Sequence, residues 1–176
     1  MKLFFLHGDP AVGKYTVGRE LAALTGGELY HNHLVVDEVL RLHAFGTAEF
    51  IRLRDAKWRA YLSALPAMGE RDVIFTFNPE ATVPQEFVDW LFQELPRRGV
   101  AIFSVGLTAS ERAIEGRLAS PQRKGFNKLT DRDLYRQLRA AGTFRTPAIP
   151  RTDLWVDTEL NSPPEAARLI AGQVSQ

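Results

Sequence analysis

Cysteine is absent from this sequence, which rules out disulfides and any mechanism that needs a thiolate. A reducing cytoplasm is the simpler expectation for such a chain. An excess of charge of either sign is also missing, since 22 Lys and Arg stand against 21 Asp and Glu, a formal net charge of +1. No global field therefore draws the chain to nucleic acid or to an anionic membrane, and an anion site has to be local. Long apolar runs are lacking too. The longest, VAIFSVGL (Val100–Leu107), is far below the ~18 residues of a membrane span. The opening MKLFFL stops at His7 and is too short for the apolar region of a secretory signal.

The 176 residues, 45% of them hydrophobic, can bury one sizeable core and are too few for two ordinary domains, so one domain over 1–176 is expected. Short β-branched and aromatic runs occur at Leu3–His7, Glu28–His31, Val73–Phe77, Val100–Leu107 and Asp153–Asp157. Between them lie helical patterns, with Val17, Leu21 and Leu24 on one face, Ile51, Trp58, Leu62 and Leu65 on another, and Val83, Phe87, Trp90 and Leu91 on a third. Reciprocal caps are expected where Thr82 precedes Gln85, Thr108 precedes Glu111 and Ser162 precedes Glu165. Strand and helix taking turns implies an α/β fold, a doubly wound parallel sheet of five strands covered on both faces. The least patterned stretch, SPQRKGFNK (Ser120–Lys128), is basic and reads as a mobile loop.

The most informative stretch is LFFLHGDPAVGKYTVGREL, at 3–21. Gly8 and Gly13, followed by Lys14, complete G-x-x-x-x-G-K between a buried strand and an amphipathic helix. In that context consecutive backbone N–H groups form an anion nest, and the helix N-terminus adds its positive dipole. The expected binding residues are Gly8, Asp9, Ala11, Val12, Gly13, Lys14, Tyr15 and Thr16, with Lys14 as the cation for the β- and γ-phosphates. Tyr15 stands where the pattern wants the hydroxyl that holds Mg²⁺, and Thr16 follows one place later. The plainer alternative is a glycine turn between strand and helix.

GDPAVGKYT resembles the phosphate-binding loop of the small P-loop kinases, the group of adenylate kinases, shikimate kinase and gluconate kinase. In adenylate kinases the residue after the lysine is likewise neither Ser nor Thr, and a threonine comes next. The resemblance thus implies that Tyr15 is tolerated and that Thr16 is the side-chain ligand to Mg²⁺. It implies a three-layer P-loop fold with a small lid at about 119–130, and ATP with Mg²⁺ as cofactors. The strand VIFTF, where many P-loop proteins carry a metal-binding aspartate, has Thr76 and Asn78 and no carboxylate before Glu80. Glu80 through a water, or Asp37 from elsewhere, are the candidates to replace it. The NKLT at 127–130 lacks the aspartate of a guanine-recognition motif.

LYHNHLVVDEV (Leu29–Val39) resembles the part of shikimate and gluconate kinase that carries acidic groups toward the phosphate acceptor, with His31, Asn32 and His33 in their place. A neutral imidazole can take a hydroxyl proton, and Asp37, one helical turn after His33, can orient it. The alternatives are two histidines that bond to backbone at a strand end, or a zinc site of His31, His33 and Asp37. In the kinases that the chain resembles, a lid brings arginines over the nucleotide, and Arg117 and Arg123 are the expected ones, with Lys124 after them. The segment at 37–65 holds Arg41, His43, Arg52, Arg54, Lys57 and Arg59, mostly exposed helix charges among which an anionic acceptor could find a partner.

The combined expectation is an ATP- and Mg²⁺-dependent phosphotransferase acting on a small hydroxylated or phosphorylated metabolite, with Lys14, His33, Asp37, Arg117 and Arg123 as catalytic residues. It would be cytoplasmic, off the membrane, and a monomer or homodimer. A kinase of nucleic-acid ends would need a basic track that the near-zero net charge speaks against. A nucleotide-binding module that hydrolyses slowly or not at all is the other alternative.

Overall fold

The computed structural model describes residues 1–120 and 129–173. Five strands form one all-parallel sheet: β1 (Lys2–His7), β2 (Glu28–His31), β3 (Val73–Phe77), β4 (Ala101–Thr108) and β5 (Leu154–Asp157), in the spatial order β2-β3-β1-β4-β5. The sequence places all five to within a residue or two at each end. The strands read as unbroken apolar runs because helices cover both faces. On one face Phe5, Tyr30, Phe75 and Phe77 pack under α2 (His33–Leu40), α3 (Ala48–Ala64) and α4 (Gln85–Arg97). On the other, Phe4, Leu6, Ile74, Val105 and Val156 meet Val17 and Leu21 of α1 (Lys14–Thr25) and Ala166 and Ile170 of α7 (Pro163–Gln173).

α5 (Glu111–Leu118) and α6 (Arg132–Ala140) flank the segment at 121–128, which lies outside the described residues together with the expected lid residues Arg123 and Lys124. α6 starts on Asp131, whose Oδ1 accepts from the amides of Asp133 and Leu134. Sequence periodicity did not disclose that helix: nearly all of its face is polar and only Tyr135 is buried.

Of the three expected caps, Ser162 with Glu165 is formed, the carboxylate accepting from the Ser162 amide at 2.8 Å. The other two differ. α5 is capped by Ser110, which accepts from Ala113 N, because Thr108 is still the last residue of β4. α4 starts from Pro84 without a side-chain cap, because the Thr82 hydroxyl is engaged elsewhere. Leu24, on the expected buried stripe of α1, sits in that helix's last turn and is exposed.

The chain passes from β1 outward to β2, returns through β3, and crosses to β4 and β5 on the far side of β1. The reversal opens a crevice at the carboxyl ends of the central strands, where ligands of open α/β sheets bind. The residues that follow β1, β2 and β3 all lie at that edge.

Candidate functional site

The loop between β1 and α1 has the conformation that its sequence calls for. Gly8 has φ 141° and Gly13 φ 107°, and a Cβ on Gly8 would run into the carbonyl oxygen of Leu107. Ala11, at φ 62°, is the one non-glycine residue in the left-handed region among the described residues. A bond from Val12 N to Asp9 O closes the loop, and Val17 N to Gly13 O opens the helix. Lys14 lies across this cradle, its Nζ donating to Gly8 O at 2.6 Å, Asp9 O at 2.7 Å and Asn78 Oδ1 at 3.2 Å. Thr16 stands in the first turn of α1.

The loop is held from behind by residues distant in sequence. Arg117 Nη2 donates to Thr158 O at 2.7 Å, and its Nη1 donates to Thr158 Oγ1 at 2.9 Å and Val12 O at 3.2 Å. The Thr158 hydroxyl itself donates to Val12 O at 2.7 Å. Arg117, expected over the nucleotide, is thus placed against the loop backbone and the turn after β5. Thr158 carries no motif and the sequence offered no signal for it.

At the exit of β2, Asn32 N donates to Thr76 Oγ1 at 3.2 Å, which ties this end of β2 to β3. α2 begins at His33, so His33 and Asp37 share a face, with Nδ1 and Oδ1 3.8 Å apart. The Tyr15 ring stands edge-on to His31 at 5.0 Å, and His31 is 6.5 Å from His33. Tyr15 therefore bridges from the loop after β1 to the exit of β2. No group of three or more His, Cys, Asp or Glu among the described residues is arranged to hold a metal ion, so the zinc alternative has no geometry to support it.

One buried network accounts for Glu80 and Arg54. Glu80 Oε1 accepts from Arg54 Nη1 at 2.7 Å and from the Thr82 hydroxyl, while its Oε2 accepts from Thr82 N at 3.0 Å. Both oxygens are engaged with protein donors, so Glu80 is not a free carboxylate. Arg54 is not an exposed helix charge either. It is 1% exposed, lies over the rings of Phe50 and Trp58, and also donates to Thr82 O. Burial lowers its pKa and the Glu80 carboxylate opposes that shift. Lys57 and Arg59 are engaged as well, with Glu38 and Asp55 respectively.

His7, the last residue of β1, is buried in front of the loop, with Nε2 3.1 Å from Thr152 Oγ1. Burial, and then the charge of Lys14, lower its pKa to about 4, so it is neutral at pH 7.

No protein-family model matches the sequence, and no curated protein matches it significantly. Solved structures do. The fold is similar to that of shikimate kinase from Acinetobacter baumannii in complex with shikimate, at TM-score 0.67 and 20% identity over 98% of this chain and 92% of that one. It is similar to the APS kinase of Mycobacterium tuberculosis in complex with AMPPNP and APS, at TM-score 0.65 and 16% identity over 99% and 98%. A sugar kinase from Janibacter follows the same course, at TM-score 0.62 and 16% identity over 99% and 95%. The fold is that of the small P-loop kinases, in which these neighbours act on small molecules.

Proposed function

We propose that this chain is a kinase that transfers the γ-phosphoryl group of ATP to a hydroxyl of a small hydroxylated or phosphorylated metabolite. The observation that carries the reading is the juxtaposition of a formed phosphate loop, closed over by Lys14, with an imidazole–carboxylate pair at the exit of β2. The loop amides and Lys14 would bind the β- and γ-oxygens and neutralise charge that grows on the transferring group. His33, oriented by Asp37, would take the acceptor proton as the new P–O bond forms and the bond to the β-phosphate oxygen breaks. Arg117 would act by holding the loop rigid, and the segment with Arg123 would supply the cover that excludes water. The nucleotide-bound neighbour, APS kinase with AMPPNP, supports the choice of nucleotide.

The residues present fit Mg²⁺ held mostly by phosphate oxygens and water. Thr16 would be the direct side-chain ligand, since Glu80 is engaged and no acidic cluster is formed among the described residues. When bound, Mg²⁺ supplies further charge neutralisation at the phosphates. No helix among the described residues is long and apolar enough to cross a membrane.

The test is ATP depletion across a panel of hydroxylated and phosphorylated metabolites, repeated with Lys14→Ala. The variant should stay folded and lose turnover, because a charge-assisted contact to phosphate is worth ~1.5–3 kcal/mol and more in the transition state. Unchanged ATP affinity and turnover would overturn the reading. The engagement of Glu80 favours one second reading, a nucleotide-binding module with slow turnover, whose mark would be hydrolysis that no acceptor accelerates.

A further inference from the structure

Asn78 is the first residue beyond β3, and β3 pairs directly with β1, the strand that leads into the phosphate loop. Its amide oxygen lies 3.2 Å from Lys14 Nζ. An ammonium has three N–H donors. In this site they meet three oxygens, and two of these, Gly8 O and Asp9 O, belong to the cradle itself and lie closer, at 2.6 and 2.7 Å. Of these three bonds, that to Asn78 is the longest and goes to a side chain. It is therefore the one that an incoming phosphate oxygen can displace without opening the loop.

The backbone that carries Asn78 is fixed. Its Nδ2 lies 3.4 Å from Pro79 O, and two residues on, Glu80 is locked by the buried Arg54 and by Thr82. A carboxylate in the place of this amide would form an ion pair with the ammonium.

We propose that Asn78 is a positioning residue for Lys14, and that its lack of charge lets the lysine pass from the amide to a triphosphate in the absence of any metal ion. A carboxylate at this position would hold the ammonium as an ion pair and repel the γ-phosphate until a cation screened it. The neutral amide orients the ammonium toward the loop and gives it up to the stronger anion. Metal-free nucleotide binding is then a property of this site. The inference rests on the nucleotide reading given above.

The experiment measures ATP binding by calorimetry, in EDTA and in excess Mg²⁺, for the wild type, Asn78→Asp, Asn78→Ala and Lys14→Ala. The wild type should bind metal-free ATP within about tenfold of its affinity in Mg²⁺. Asn78→Asp should lose ~10–100-fold in EDTA and recover most of it in Mg²⁺, the sign of an added charge beside the triphosphate. Asn78→Ala, which removes a bond that the nucleotide displaces and adds no charge, should bind ATP as tightly as the wild type or up to ~3-fold more tightly, equally in both conditions. Urea unfolding midpoints close to the wild type's confirm that the variants are folded. Metal-free binding by Asn78→Asp as tight as the wild type's would overturn the proposal, as would a loss in EDTA by Asn78→Ala as large as that of Asn78→Asp. A wild type that binds no ATP in either condition would overturn instead the nucleotide reading on which it rests.

Discussion

His7 makes the support of the phosphate loop sensitive to acid. Its pKa in the folded chain is about 4 against an ordinary 6.5, so between those values the unfolded chain binds the proton and the folded one does not. Its contribution to stability is full above pH 6.5, declines as the pH falls, and is lost below about 4. The difference is worth roughly 3 kcal/mol at most. Urea midpoints at pH 7 and pH 5 should therefore diverge in the wild type and diverge less in His7→Gln, and equal slopes in the two would refute this origin. His33 belongs to the same scale and a different role. His33→Gln should lower kcat by ~10²–10⁴ and leave the KM for ATP nearly unchanged, provided that the chemical step limits turnover. A raised KM with normal kcat would move His33 out of the acceptor site. Residues with a motif behind them were legible in the sequence, and Gly8, Gly13 and Lys14 are where the spacing puts them. Thr158 and Asn78 were not legible as loop partners, because each acts through tertiary contacts that no spacing records.

At the scale of elements, the join between α3 and the turn after β3 is the buried Arg54–Glu80–Thr82 network. A guanidinium or carboxylate left alone in such a place is uncompensated. Arg54→Leu or Glu80→Leu should each destabilise by about 3–5 kcal/mol, and the double variant by clearly less than their sum. Additive effects in a double-mutant cycle by urea unfolding would show that the two do not act as a pair. The sequence displayed the elements more plainly than their joins. The inner strands β1, β3 and β4 were visible because both of their faces are largely buried and apolar, and α1, α3 and α4 were visible from their stripes. The caps went astray where a residue had a competing use: Thr82 serves Glu80, and Thr108 completes β4. Arg54 could not be told from its exposed neighbours, because nothing in the order LRDAK shows that its charge faces a carboxylate 26 residues away.

For the whole molecule, the lengths of the strands bear on how copies of the chain behave toward each other. The two four-residue strands, β2 and β5, are the two edges of the sheet, while the three between them run to five, six and eight residues. A short edge gives an incoming strand little backbone to pair with, and this is a common protection against growth of a sheet from one molecule into the next. The long, β-prone runs FFL, VIFTF and AIFSV, which would otherwise template aggregation, are all inside. Aggregation of this protein should consequently wait for unfolding. On slow heating, light scattering should stay flat until the far-UV circular dichroism begins to fall, and rise only after it. Scattering that climbs while the native signal is intact would show that the folded sheet recruits other molecules at its edges.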